Sequence, residues 1–293
     1  MRAPAFLRPT TVEEASRLLA QDPDEAKVLS GGTAVVLMMK QGLIAPSLLV
    51  SLAGVDGLGD IARVRGALRI GAGVCLAQIA ASAEVRRDAP SLAHACSEVG
   101  NPRVRNVATL GGNLAEGDYA SDPPAVLASL GARCHLSGPA GSRTVPVDGF
   151  VTGFFQTVLE DAEIITHIDV PVVADRGTVY LKYRSRSSED RACVGVAARA
   201  DFAGDRVAAL DVHVAAVAAT PQSVPAACEL ATGERLSPEL VRRVARGYAE
   251  AIDPIDDARG SAWYRTRMIE VTVERALNEL GAGRSQEVDH DGN

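Results

Sequence analysis

The sequence predicts an α+β protein assembled from several small units, and three observations carry that prediction. Residues 27–52 run strand, glycine turn, helix, strand, the order of a small parallel β–α–β unit. Beyond residue 176 three strand-length apolar segments come first and helices follow, the segregated order of an α+β domain. The 293 residues, 47% of them apolar, suffice for two or three domains with real cores.

Each element has a local reason. Thr11 with Glu14 three residues later makes a capping box, and Val12, Ala15, Leu18 and Leu19 share the face of the helix it opens. Lys27–Leu29 is a short strand leading through Ser30-Gly31-Gly32-Thr33 into a helix over 34–40, which Gly42 ends; Leu48–Leu52 is the returning strand. Ala67–Ala72 reads as a strand, and 76–83 and 91–99 as helices. An apolar strand over 106–110 approaches a second glycine pair, Gly111-Gly112, and Asp122 caps a helix whose first turn holds Pro123 and Pro124. Segments 132–136, 144–147 and 163–170 read as strands ending at Pro171. Asp175-Arg176-Gly177 marks a boundary; strands at 178–184, 192–202 and 207–219 follow, then helices from Ser237-Pro238 and over 261–280. The polar residues after Gly281 are expected to be disordered.

The two glycine loops are the candidate ligand site. Glycines let a ligand approach the backbone, and a helix start offers free N–H groups that favour an anion. One Gly-Gly alone reads first as a plain tight turn. Two such loops, SGGT at 30–33 and TLGGN at 109–113, can clasp a pyrophosphate from two sides. Asn113, Thr33 and Thr109 are side-chain donors there, and Asp122 is an acceptor suited to ribose hydroxyls as well as a helix cap. Gly71-Ala72-Gly73 begins like a dinucleotide fingerprint, but Leu76 replaces the third glycine, so it reads as a strand end; no phosphate-loop lysine follows either loop.

Composition excludes several functions. The net charge is −7, and Arg184, Arg186 and Arg191 form the nearest thing to a basic cluster, so nucleic acid is not an expected partner. Five scattered cysteines contain no C-x-x-C pair and suit neither zinc nor an iron–sulfur cluster, which points to buried thiols in a reducing compartment and a cytoplasmic protein. No apolar run approaches the ~20 residues that span a bilayer. His135, His167 and His213 alternate with apolar residues and read as structural or surface side chains; Asp60, Asp88 and Asp148 read as turn residues. No catalytic residue and no metal ligand is assigned.

The stretches VLSGGTAVVLMMKQG and RNVATLGGNLAEGDYASDPPAVLASLGA resemble the two FAD loops of the medium, FAD-binding subunits of molybdenum hydroxylases, such as aerobic carbon monoxide dehydrogenase and the flavin domain of xanthine dehydrogenase. FVTGFFQTVLEDAEIITHIDVP and DARGSAWYRTRMIEVTVERAL extend the likeness from Pro9 to Leu280. The resemblance implies an FAD-binding fold of the p-cresol methylhydroxylase/vanillyl-alcohol oxidase type in two subdomains, 1–57 and 58–175. A C-terminal domain with a three-stranded antiparallel sheet follows at 176–282, then a disordered tail, 283–293. It implies that Leu29, Ser30, Gly31, Gly32, Thr33 and Ala34 wrap the pyrophosphate from one side and Thr109, Leu110, Gly111, Gly112 and Asn113 from the other. Asp122 contacts the ribose, and Ile165 and Lys182 lie near the flavin. Read from residues alone, those last two are a core isoleucine and a solvated strand lysine. Ala34 stands where many relatives carry an acidic or polar residue, and Tyr119 where many have proline.

The function implied is an FAD-binding electron-transfer subunit. A large molybdopterin subunit oxidises the substrate, a small subunit carries [2Fe–2S] clusters, and this chain passes their electrons to an external acceptor within a heterotrimer or its dimer. The alternative is a self-sufficient FAD-dependent oxidase or reductase acting on its own small-molecule substrate.

Overall fold

A computed structural model gives the fold; it describes residues 3–173 and 176–291, with side chains to residue 282. The first subdomain contains β1 (Ala5–Leu7), α1 (Val12–Ala20), β2 (Ala26–Leu29), α2 (Thr33–Lys40) and β3 (Leu48–Ser51). Its sheet runs β1-β3-β2, all parallel. Thr11 caps α1 by accepting from the Glu14 N–H at 3.1 Å, while the Glu14 carboxylate takes the N–H of Thr10 rather than that of Thr11. Ala15 and Leu19 on α1 pack with Ala26, Val50, Leu58 and Ile164, so α1 seats this unit on the second subdomain.

The second subdomain begins with β4 (Ile61–Val64) and β5 (Ala67–Gly71), then α3 (Leu76–Ala81), α4 (Ala83–Asp88), α5 (Pro90–Glu98), α6 (Pro102–Arg105), α7 (Leu110–Glu116) and α8 (Pro123–Ser129). It continues with β6 (Arg133–Gly138), β7 (Gly141–Pro146), β8 (Val151–Gly153), β9 (Gln156–Thr157) and β10 (Ile164–Pro171). The main sheet, β4-β5-β10-β6-β7, is antiparallel. One face, with Leu68, Ile70, Cys134, Leu136, Ile168 and Val170, is buried against the helices. Gly71 and Gly73 sit on the Leu58 carbonyl, so that segment is a strand end packed on backbone. The strand expected over 106–110 is absent: Pro102 opens α6, and Asn106 and Val107 complete that turn.

The C-terminal domain holds β11 (Arg176–Tyr183), β12 (Val194–Ala203), β13 (Arg206–Ala215), β14 (Gln222–Ser223), α9 (Pro225–Glu229), α10 (Pro238–Ala251) and α11 (Ala262–Asp291). The expected three antiparallel strands are joined by a fourth, the two-residue β14, too short for any periodic signal. Both faces of this sheet are buried. Val179, Val196, Ala198, Val212 and Val214 pack on α10 and α11, while Tyr180, Ala197 and Ala215 join the core of the second subdomain under α5 and α8. That double burial is why 194–200 is almost unbroken small apolar sequence. Helix α11 runs on to Asp291, over most of the stretch expected as a disordered tail; no proline interrupts residues 262–291. Residues 292 and 293, and Asp175 of the expected boundary, lie outside the described residues.

Candidate functional site

The first glycine loop is built to leave donors free. Gly32, at φ 72°, turns the chain out of β2 and is the N-cap of α2 without any side-chain cap. Among the described residues, the N–H groups of Ser30, Gly31 and Gly32 donate to no protein acceptor, and those of Thr33, Ala34 and Val35 begin α2, where no intrahelical partner exists. Leu29 ends β2, its carbonyl accepting from the Leu52 N–H at 2.9 Å. The result is a row of uncommitted N–H groups at the positive end of an eight-residue helix.

The second loop differs. Leu110 N–H donates to the Val74 carbonyl (3.1 Å), Gly111 to Ala72 (2.9 Å), Gly112 to Thr109 Oγ1 (3.1 Å) and Asn113 to the Thr109 carbonyl (2.9 Å). Its backbone donors are therefore spent within the protein. Leu110 is fully buried core. Gly111 is required by packing: a Cβ there would lie 2.5 Å from the Ala72 Cβ. What this loop offers outward is side chain. Asn113 Oδ1 accepts from Ser121 Oγ at 2.9 Å, leaving its amide NH2 without a protein acceptor among the described residues.

The structure brings the two loops together. Ser30 Oγ and Thr109 Oγ1 share a hydrogen bond of 2.9 Å across 79 residues of sequence. Gly31 lies flat on the other segment, since a Cβ would stand 1.9 Å from the Val107 carbonyl oxygen. Ile165 lies close to this junction: the next carbonyl, Thr166, accepts from the Ala72 N–H at 2.9 Å, and Ala72 in turn accepts from Gly111. The Ile165 side chain itself is core, 4% exposed.

Asp122 and Lys182 form one buried unit. Lys182 Nζ donates to Asp122 Oδ2 at 2.7 Å and to the Glu98 carbonyl at 2.9 Å, and the Tyr180 hydroxyl donates to Asp122 Oδ1. The Lys182 and Asp122 side chains are 2% and 3% exposed, so the reading of a solvated strand lysine is wrong. Asp122 opens α8 without capping it, because its carboxylate turns to β11 instead. Burial pushes the Asp122 carboxyl above its ordinary value, against the pull of Lys182, Tyr180 and Arg184; burial likewise holds the Tyr180 phenol far above its own. Each carboxylate oxygen keeps a second lone pair for a further donor. Sequence reading missed Tyr180, although its position two residues before Lys182 places both on one face of β11.

Tyr119 ties the second loop's helix to the C-terminal domain. Its hydroxyl donates to Asp257 Oδ2 (3.1 Å) and accepts from Arg259, whose guanidinium covers the ring at 5.3 Å. Phe154 and Phe155 meet the same ring edge-on, at 5.0 and 6.3 Å. Burial pushes the Asp257 carboxyl up, but the Arg259 N–H and the Arg265 and Arg259 guanidiniums outweigh it and hold it well below the usual carboxylate range. The basic residues 184, 186 and 191 are each committed, to Glu98, the Ala258 carbonyl and Asp118. All five cysteines are unpaired, and burial pushes the Cys134 thiol up to about 12. No described helix is long and apolar enough to cross a membrane.

Residues 2–173 match the family described as the FAD binding domain in molybdopterin dehydrogenase, and residues 179–280 match the CO dehydrogenase flavoprotein C-terminal domain. The nicotine 6-hydroxylase medium subunit of Paenarthrobacter nicotinovorans is 32% identical over 96% of this chain and 99% of its own. The carbon monoxide dehydrogenase medium chain of Hydrogenophaga pseudoflava is 34% identical over 94% of this chain and 96% of its own. A solved carbon monoxide dehydrogenase from Hydrogenophaga pseudoflava superposes with a TM-score of 0.92 at 33% identity, covering 97% of this chain and 98% of that one.

Proposed function

Because this chain belongs to the family of FAD-binding domains of molybdopterin dehydrogenases, we propose that it is the electron-carrying subunit of a multi-subunit molybdenum hydroxylase. In this reading a large molybdopterin subunit oxidises the organic substrate and a small subunit's iron–sulfur clusters deliver the electrons. This chain passes them to an external acceptor. FAD, when bound, supplies the chemistry of accepting electrons and handing them on.

The observation that carries the reading is the junction of the two glycine loops. The uncommitted N–H groups of Ser30 to Val35 suit a pyrophosphate, which must be hydrogen-bonded where it leaves water. Asn113 donates from the opposite side through its free amide. Asp122 accepts a ribose hydroxyl on its remaining lone pairs and is kept in place by Lys182 and Tyr180. Lys182, and the β10 backbone at Ile165, border the flavin. The second loop's backbone fixes the distance between the loops and leaves the anion to the first.

The three subunits, co-expressed, are expected to co-purify. Omitting this chain should abolish reduction of the acceptor while substrate still reduces the iron–sulfur clusters, which lie upstream. A two-subunit remainder that reduces the physiological acceptor at full rate would sink the proposal. Reduction of the flavin in the isolated chain by an organic substrate would replace it with the self-sufficient enzyme.

A further inference from the structure

The solvent face of the main sheet in the second subdomain carries a cluster that flavin binding does not use. His135 on β6 and His167 on β10 are register partners, as are Asp169 on β10 and Arg69 on β5. Their inward-pointing neighbours Cys134, Leu136, Ile168 and Ile70 fill the core, so alternation sets all four on the outer face. The imidazoles stack with centroids 4.0 Å apart and planes 15° from parallel. His135 Nε2 lies 3.1 Å from Asp169 Oδ2, and one ligand atom from each of His135, His167 and Asp169 falls within 4.8 Å of the others. At 26% and 19% exposure, the His135 and Asp169 side chains remain open to an ion from solvent.

The hydrogen bonds decide the state of His167. The Thr166 hydroxyl has one proton, and it donates that proton to the His135 carbonyl at 3.1 Å. Toward His167 Nδ1, 3.0 Å away, Thr166 Oγ1 can then only accept. Nδ1 therefore carries the ring proton and Nε2 is a bare lone pair. That Nε2 is buried and has no hydrogen-bond partner among the described residues. A buried acceptor left unpaired is costly, about 1–3 kcal/mol. Thr144 Oγ1 lies 3.0 Å from His135 Nδ1, and the Nε2 proton that His135 points at Asp169 is the one an ion displaces to solvent. A hydroxyl at each Nδ1 is the kind of outer contact by which proteins aim the Nε2 of an imidazole at a metal.

We propose that His135, His167 and Asp169 form a binding site for a divalent transition ion of the zinc, cobalt or nickel class. Two imidazole nitrogens and one carboxylate oxygen match the ligand preference of these ions, with water completing the coordination. Arg69 holds both carboxylate oxygens of Asp169, Nε on Oδ1 at 2.8 Å and Nη2 on Oδ2 at 2.9 Å, so the ion takes a remaining lone pair of Oδ2. The stacked rings fan apart on binding, and His135 gives up its contact with Asp169. The sequence reading placed no metal ligand here because the three residues lie on two strands separated by a long connection.

The test is equilibrium dialysis of the flavin-loaded full chain against Zn2+, with melting temperature as a second readout, since an ion that binds only the folded state raises it. One equivalent of Zn2+ should bind, with a rise in melting temperature. In His167→Ala and in His135→Ala the affinity should fall at least tenfold and the thermal shift should disappear, while bound flavin reports an intact fold. Absence of stoichiometric binding by the wild-type chain overturns the proposal, as does unchanged affinity in flavin-replete His167→Ala.

Discussion

Replacing Gly31 by alanine tests the loop junction with a single methyl group. The added Cβ would stand 1.9 Å from the Val107 carbonyl oxygen, 2.7 Å from its carbonyl carbon and 2.9 Å from the Ala108 Cα. All three are backbone atoms, so no side chain can swing aside. Ordinary contact starts at 3.4 Å, so the loops must separate by roughly 1.5 Å (3.4 minus 1.9). Such overpacking costs about 1–3 kcal/mol. The displacement also breaks the Ser30–Thr109 hydrogen bond, worth about 0.5–1.5 kcal/mol. The free protein relaxes by letting the loops part, whereas the flavin-bound protein needs them together, so most of the cost falls on binding. A loss of about 2–4 kcal/mol corresponds to roughly 30- to 700-fold weaker binding. Bound flavin is read by absorbance after purification, and affinity by titrating apoprotein with FAD. Gly112→Ala is the control. Gly112 is helical with no positive φ, the left-handed glycine being Gly32, and its Cβ would meet Thr109 Oγ1 at 2.9 Å and Ser30 Cβ at an ordinary 3.8 Å, both side-chain atoms. It should lose less than about tenfold, because a hydroxyl shifts more readily than a backbone. Full flavin occupancy in Gly31→Ala, with affinity within twofold of wild type, would refute the account of the junction.

Two further outcomes concern the contacts between the second subdomain and the C-terminal domain. Lys182→Met leaves the Asp122 carboxylate buried without its cation and should cost about 3–5 kcal/mol at neutral pH, seen as a lower urea midpoint; adding Asp122→Asn should recover much of it, and equal midpoints for wild type and Lys182→Met would contradict the ion pair. His213 on β13 lies 3.4 Å from Asp148 of the second subdomain and 3.1 Å from Asp211, the latter contact ionic because it lacks hydrogen-bond alignment. Burial pulls the His213 imidazolium down, but the two aspartates outweigh it and raise it to about 9. A raised value means this contribution is complete below the unfolded value of about 6.5 and is lost as pH climbs through about 9. Unfolding free energy should therefore fall between those limits, by an amount on the order of 1–2 kcal/mol since Asp148 is largely exposed, seen as a falling melting temperature, and His213→Gln should flatten that limb; an unchanged slope in the variant would exclude His213 as its source.

How much was legible depended on how local the causes were. The parallel unit over 27–52 was readable because a strand, two glycines, a helix and a strand each leave their own signal, and the observed bounds differ by a residue at most ends. The capping box at Thr11 was readable in type but not in partner, since Glu14 reaches the N–H of Thr10 as easily as that of Thr11. Val107 to Leu110 misled because four mostly apolar residues fit a strand or a buried turn equally well. Pro102 and the Asn101 cap, which accepts from Val104 N–H at 3.1 Å, decide it for the turn. Strands β1, β9 and β14, of two or three residues, are held by their neighbours and carry no period to read.

The candidate site was legible as two motifs but not as a division of labour. Both loops contain Gly-Gly, yet glycine serves different needs in each. Gly32 turns the chain and leaves N–H groups free, whereas Gly31 and Gly111 exist so that backbone can lie on backbone. Only three-dimensional neighbours separate those needs, because Val107 and Ala72 are distant in sequence from the glycines they touch. Asp122 makes the same point about charge. Locally it is a helix cap before two prolines, and nothing near it hints that β11 will send Tyr180 and Lys182 into its carboxylate. Alternation along β11 does this: Val179 and Leu181 face α11, so Tyr180 and Lys182 must face α5 and the start of α8. A lysine forced into that interface must find a carboxylate or pay desolvation alone, and Asp122 is the carboxylate within reach. The C-terminal domain thus completes the FAD-binding half rather than merely following it, since without β11 the Asp122 carboxylate would lose both donors that hold it in place.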